Sequence, residues 1–241
     1  MPPQTQLKAL ILAAGRGARM RPLSDQTPKP LLTVGGKPII EWHLLALAAA
    51  GVREVVINTA WLEHQFPEAL GDGSRWGLRL HYSMEGRDHG GALETAGGIR
   101  KALPLLGDCF WLLSGDIVAQ GFGFDAARAQ RFASGSDDAH LWLVANPDFN
   151  AAGDFALDGD RVRRPDAHLA RPMTYANLAL IRGSLVAGLA NGERAALGPL
   201  LFASAQAGRL GGEQLAGPWH NLGTPGQLAA LNAAWTVAAS A

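Results

Sequence analysis

Between Leu10 and Pro38 the chain passes from an apolar segment, Leu10-Ile-Leu-Ala-Ala14, into Gly15-Arg-Gly-Ala-Arg19, and then into Pro28-Lys29-Pro30. Glycines let successive main-chain N–H groups close around an anion, and two cations at fixed offsets, Arg19 and Lys29, can neutralise several phosphate charges together. Ala13, Gly15, Gly17 and Ala18 are the backbone positions expected to cradle the phosphates. That chemistry suits a nucleoside triphosphate. Two other phosphate loops are excluded: a dinucleotide fingerprint needs a small residue where Met20 stands, and a P-loop needs Ser or Thr where Pro38 follows Gly36-Lys37. An ordinary strand–turn–helix with a glycine turn is the plain alternative, but a turn alone does not call for Arg19, Pro22, Lys29 and Pro30 together.

Taken together, Gly15-Arg-Gly-Ala-Arg-Met-Arg-Pro-Leu23 and Pro28-Lys29-Pro30 resemble the signature of the sugar-phosphate nucleotidyltransferases. The resemblance implies attack by a sugar 1-phosphate oxygen on the α-phosphorus of a nucleoside triphosphate, with loss of pyrophosphate. A phosphate monoester is already an adequate nucleophile, so catalysis becomes alignment and charge neutralisation, without a Ser-His-Asp set. Arg19 is expected to stabilise the leaving pyrophosphate and Lys29 to bridge the α-phosphate and the sugar phosphate. Asp116, closing Leu112-Leu-Ser-Gly-Asp116, matches the family's metal-binding aspartate and implies Mg²⁺ as cofactor; an Asp capping the next helix is the plainer reading. Ser114 stands where relatives carry a contact to the nucleotide sugar. Glu94-Thr-Ala-Gly97-Gly98 resembles a loop lying along the base, with Glu94 in place of a glycine, and makes Gly97 and Gly98 candidate base contacts. A glycine-rich helix start is the alternative.

Trp219-His-Asn221-Leu-Gly-Thr-Pro225 resembles the family's Trp-x-Asp-x-Gly-Thr-Pro, whose aspartate is the second metal ligand. Asn221 retains an oxygen but not the charge, so free-metal affinity should fall. Asn146, Gly153, Asp154, Tyr175 and Asn177 occupy positions expected to hold sugar hydroxyls. The overall pattern is most similar to the N-acetylmuramate 1-phosphate uridylyltransferases, which implies UTP, N-acetylmuramate 1-phosphate and peptidoglycan recycling. Arg161, Arg163, Arg164 and Arg171 are candidates for the lactyl carboxylate that distinguishes this sugar. A mannose- or glucose-1-phosphate nucleotidyltransferase using GTP, dTTP or UTP, and a nucleotide-sugar sensor without turnover, are the other readings.

These groups need a scaffold that brings them to one mouth. Apolar strands alternate with helical patterns: strands at Leu7–Ala13, Glu54–Asn58, Arg79–Met84, Phe110–Leu113 and His140–Ala145, and helices at Ile39–Ala50, Glu63–Leu70, Thr95–Leu103 and Ala126–Ala133. Such alternation predicts an α/β fold, a Rossmann-like doubly wound and mostly parallel sheet with helices on both faces, whose ligands bind beyond the strands' carboxyl ends. After Asn146-Pro147 the rhythm changes to short strands at Asp154–Leu157 and Tyr175–Ile181, helices at Ser184–Ala190, Leu197–Ala207 and Pro225–Thr236, and a short segment at Trp219–Gly223. This part reads as a small α+β sugar-binding lobe. One domain over 1–241 is expected, with 1–146 the nucleotide-binding half and 147–241 the sugar-binding half.

The 241 residues can bury about 70% of their unfolded surface without disulfide or structural metal. With 21 basic and 21 acidic residues there is no basic excess to suggest nucleic acid or an anionic membrane. The N-terminus lacks the pattern of a secretory signal, and the lone Cys109 reads as a buried small hydrophobe, so a cytoplasmic protein is expected. Sequence leaves the oligomeric state open, with a monomer the simpler expectation.

Overall fold

The computed structural model describes residues 7–165 and 171–239; residues 1–6, on which the expectation of no secretory signal rests, lie outside them. The chain opens with β1 (Lys8–Leu12), a hairpin of β2 (Thr33–Val34) and β3 (Lys37–Pro38), and helix α1 (Ile39–Ala49). There follow β4 (Glu54–Thr59), α2 (Gln65–Leu70), β5 (Arg79–Met84), the short α3 (Glu85–His89) and α4 (Glu94–Ala102). Next come β6 (Cys109–Ser114), β7 (Ile117–Ala119), α5 (Ala126–Ser134), β8 (Ala139–Val144), β9 (Phe155–Asp158) and β10 (Arg161–Arg163). The long β11 (Pro172–Arg182), α6 (Leu197–Gln206), β12 (Leu210–Gln214), β13 (Trp219–Asn221) and α7 (Pro225–Ala239) complete the described chain.

Nine strands form one sheet in the order β5-β4-β1-β6-β11-β8-β12-β10-β9. The first four pair in parallel, as do β8 and β12, while β11 runs antiparallel between β6 and β8. The parallel strands are apolar on both faces because helices cover both. On one face Ile11, Ile57, Leu113 and Leu180 meet Ile40, Leu44 and Leu47 of α1. On the other, Leu10, Val56, Leu112 and Ile181 meet Ala96 and Ile99 of α4 and Leu201 of α6. Cys109 is buried, and burial pushes its thiol up.

Three features differ from expectation. Residues 184–190 are not a helix but carry only a 3₁₀ turn over Gly183–Val186, because Gly188 gives the next turn no helical support. Strand β12 lacks the β-branched residues that mark a strand: its Gly211-Gly212 pair is needed for packing, since a Cβ at Gly212 would stand 2.4 Å from Val162 Cγ2. The three-residue strands β7 and β10 are too short to leave a periodic signal.

Candidate active site

A cleft of about 910 Å³ opens beyond the carboxyl ends of β1 and β6. Its walls include Ala13, Gly15, Gly17, Arg19, Lys29, Ser114, Asp116, Asp154, Tyr175, Asn177 and Asn221, so eleven positions from six separate stretches of sequence converge there.

The glycine loop is built for close approach. Gly17 has φ of +64°, a conformation favouring glycine, and its carbonyl accepts from Ser24 Oγ at 2.8 Å. Gly15 has open space where a Cβ would stand. The N–H of Ala13 is already taken, donating to Asn58 Oδ1 at 2.7 Å and to the Asn58 carbonyl at 3.1 Å, so it holds the loop rather than a phosphate. Ala18, at the start of a 3₁₀ turn, does not line the cleft. Arg19 makes no ion pair among the described residues, and its guanidinium lies beside Gly223, 3.3 Å from the position of a Cβ there.

Lys29 and Asp116 meet on the floor. The Lys29 ammonium donates to Asp116 Oδ2, and Ser114 Oγ donates to Asp116 Oδ1 at 2.7 Å. The contact follows from the two motifs' small and cyclic residues. Gly115 donates its N–H to the Leu12 carbonyl at 2.8 Å, and a Cβ on it would come within 3.1 Å of Pro30 Cγ. Pro30 therefore packs over Gly115, and the residues beside them, Lys29 and Asp116, face each other. Ser114 orients the carboxylate while itself lining the cleft.

Asn221 reaches the same floor through the ribbon of β7 and β13, where it pairs with Ile117, and Leu222 N–H donates to the Asp116 carbonyl at 2.9 Å. The Gly-Thr-Pro that follows starts α7 by a reciprocal cap. Gln227 Oε1 accepts from the N–H groups of Gly223 and Thr224 at 2.8 and 3.0 Å, and Thr224 Oγ1 accepts from Gln227 N–H at 3.3 Å. Asp116 and Asn221 thus offer one carboxylate and one amide oxygen on adjoining backbone. That donor set suits a hard ion whose remaining ligands are phosphate oxygens and water. Among the described residues no group of three or more His, Cys, Asp or Glu gathers elsewhere as a metal site.

At the other end, Asp154 is fixed from two sides: its Oδ1 accepts from Asn150 Nδ2 at 3.0 Å and its Oδ2 from Tyr175 N–H at 2.9 Å. Burial pushes the Tyr175 phenol upward, so it stays a neutral donor and acceptor. Asn177 sits at a bulge in β11 with φ of +57°, which turns its side of the strand toward the cleft. Asn146 and Gly153 do not line the cleft. Asn146 instead accepts from Thr174 Oγ1 and donates to the Ala151 carbonyl, and Gly153, at φ of +68°, leaves room for it. Both shape the loop carrying Asp154.

Gly97 and Gly98 are also absent from the lining; both are packing residues. A Cβ at Gly97 would lie 2.2 Å from the Glu193 carbonyl oxygen, and one at Gly98 would lie 2.5 Å from Glu85 Oε1. Of the four arginines, Arg161 is held bidentately by Asp137 at 2.8 and 2.9 Å, Arg163 pairs with Asp158, and Arg171 is exposed. Arg164 is exposed too and does not line the cleft, but its guanidinium stands 5.0 Å from the ring centroid of Phe202, which does. Sequence reasoning missed Asn58, Phe149, Asn150, Thr174, Trp219 and Phe202. Asn58 left a signal, a polar residue ending an apolar strand; the apolar ones read as ordinary core.

Residues 8–152 match the family model described as nucleotidyl transferase. The chain belongs to this family. It is 45% identical over 236 residues, 95% of its own length and 100% of the relative's, to a Neisseria meningitidis protein named N-acetylmuramate alpha-1-phosphate uridylyltransferase. A Caulobacter vibrioides protein of the same name is 33% identical over 90% of this chain and 92% of its own. A Bacillus anthracis crystal structure described as a glucose-1-phosphate thymidylyltransferase superposes with a TM-score of 0.78 over 95% of this chain and 94% of its own. At 20% identity that likeness concerns the nucleotidyltransferase fold alone.

Proposed function

We propose that this nucleotidyltransferase transfers the uridylyl group of UTP to N-acetylmuramate 1-phosphate, in the cytoplasm, as a step of peptidoglycan recycling. The observation that carries the reading is the meeting of Lys29 with Asp116 between a phosphate-cradling loop and a polar sugar-sized end, in a chain 45% identical to an N-acetylmuramate uridylyltransferase. The triphosphate lies along Gly15–Arg19 and the sugar phosphate reaches it from the Asp154–Tyr175 side. An oxygen of the sugar phosphate forms a bond to the α-phosphorus while the bond from that phosphorus to the bridging oxygen breaks, and pyrophosphate leaves with the electron pair. Lys29 neutralises the two phosphates that must approach each other, and Arg19 stabilises the departing charge. Asp116 and Asn221 would hold Mg²⁺, which when bound supplies charge neutralisation and orientation of the phosphate oxygens. Asp154 accepts from sugar hydroxyls.

Pyrophosphate release, measured for UTP, GTP, dTTP and CTP against the 1-phosphates of N-acetylmuramate, N-acetylglucosamine, glucose and mannose, tests the reading. UTP with the muramyl substrate is expected to dominate. A faster neutral hexose phosphate would move the protein to the hexose nucleotidyltransferases, and release with no pair would leave a binding protein.

A further inference from the structure

Glu85 is 0% exposed and outside the cleft's lining, yet it connects two strips of backbone that do line it. Its Oε1 accepts from Asn58 Nδ2 at 2.7 Å and its Oε2 accepts from the N–H of Leu93 at 2.7 Å. Asn58, itself 2% exposed, passes the connection on by accepting from Ala13 N–H with Oδ1 at 2.7 Å. One end of this chain is the turn leaving β1 into the glycine loop. The other is the turn entering α4, where Glu94 is held at φ of +61°. Ala13, Ala14, Glu94 and Thr95 all line the cleft.

The direction of every bond is fixed. Ala13 N–H and Leu93 N–H are backbone donors and cannot reverse; Ala13 N–H is shared between the Asn58 carbonyl at 3.1 Å and Oδ1 at 2.7 Å, so Asn58 turns its oxygen to this donor and its amide hydrogens to Glu85. Both oxygens of Glu85 must then accept, a pattern that requires a carboxylate rather than an amide. Nothing else at this position satisfies both donors, and an unsatisfied buried donor costs about 1–3 kcal/mol. The neighbouring packing agrees, since a Cβ at Gly98 would lie 2.5 Å from Glu85 Oε1 and 2.6 Å from Asn58 Nδ2.

We infer that Glu85 is a positioning residue that sets, through Asn58, the separation of the Ala13 turn from the Leu93–Thr95 turn, and so the width of the nucleotide slot between them. The inference rests on the uridylyltransferase reading. Its effect falls on the triphosphate and not on the sugar phosphate, whose contacts at Asp154 and Tyr175 belong to other strands.

The test is an exchange of the two side chains' chemistry. Glu85→Gln alone puts a donor against a donor at Leu93, at Asn58 or, if the Asn58 amide turns over, at Ala13, and is expected to raise KM for UTP at least tenfold. KM for the sugar phosphate and kcat should each change less than about threefold. The double variant Glu85→Gln/Asn58→Asp restores every pair, with the new amide accepting from Leu93 and donating to the new carboxylate, which also accepts from Ala13. It keeps the net charge, and KM for UTP should fall to at least threefold below that of the single variant, although Asn58 itself lines the cleft. Calorimetric titration with UTP should follow the same order. Should Glu85→Gln alone fail to fold, the double variant is expected to fold and bind UTP. The inference is overturned if the single variant leaves KM for UTP unchanged, if both KM values rise together, or if the exchange restores nothing in a folded protein. A parent enzyme inactive with UTP would instead defeat the functional reading.

Discussion

Lys29 and Asp116, 87 residues apart, form an ion pair on the cleft floor. The carboxylate is largely shielded, with Lys29 on one oxygen and Ser114 on the other. Binding of a metal-chelated triphosphate would redirect both groups, the ammonium to phosphate and the carboxylate to the ion. Lys29→Ala should therefore reduce the rate of pyrophosphate release by roughly 10²-fold or more, the scale of losing one stabiliser of developing charge. Unchanged turnover in this variant would remove Lys29 from the chemistry.

Asn221→Asp adds a second carboxylate beside Asp116. The Mg²⁺ concentration giving half-maximal activity should fall, by roughly tenfold if one charged ligand replaces a neutral one. A magnesium titration of parent and variant under saturating substrates checks it, and an unchanged midpoint would take Asn221 out of the metal's reach.

Gly97 offers a way to separate packing from binding. Its α-hydrogen faces the Glu193 carbonyl, so Gly97→Ala must push α4 away from the 193–195 segment that caps it through Ala195. A loss of about 1–3 kcal/mol, the usual scale of overpacking, should appear as a lower midpoint in urea. A variant as stable as the parent would contradict the close approach.

Arg164 stacks on the cleft-lining ring of Phe202, whereas Arg161 and Arg163 are committed to aspartates, so it is the arginine to test against a carboxylate at the sugar end. Arg164→Ala should raise KM for N-acetylmuramate 1-phosphate several-fold and leave that for N-acetylglucosamine 1-phosphate unchanged. Equal effects on both sugars would assign it no part in reading the lactyl group.

Stability should depend on pH through His43. Burial pushes its imidazole down to about 4, against the pull of the Ile117 and Ser114 backbone and of Asp116. The folded protein then refuses a proton that the unfolded chain accepts below about pH 6.5. Its stability is therefore complete above that value and is lost as pH falls from 6.5 toward 4, by roughly 2–3 kcal/mol at the acid end. Thermal melts at pH 7.5 and 4.5 check this, and the difference should shrink in His43→Gln.

The parallel half of the fold was legible because its strands are uninterrupted apolar runs and its helices end at clear breakers, as α1 does before Gly51. Motif chemistry carried the reading of Lys29, Asp116 and Asn221, and the topology brings them together. What stayed hidden was the purpose of glycines and polar residues that work behind the surface. Gly97 and Gly98 have the composition of a ligand loop, and only the position of α4 against Glu193 and Glu85 reveals them as contacts between chain segments. Asn146 and Gly153 likewise serve the loop beneath Asp154. Strand β12 was illegible because packing against Val162 and Leu141 demands glycine where β-propensity would ask for a branched side chain.

Strand β11 lies between β6 and β8, hydrogen-bonded to both, although it follows them in sequence by tens of residues. A nascent chain emerging from the ribosome therefore presents β6 as an unzipped sheet edge and β8 as a strand without a partner until residues 172–182 arrive to bridge them. The cleft floor at Asp116, on the loop leaving β6, cannot set firmly before that late strand is in place.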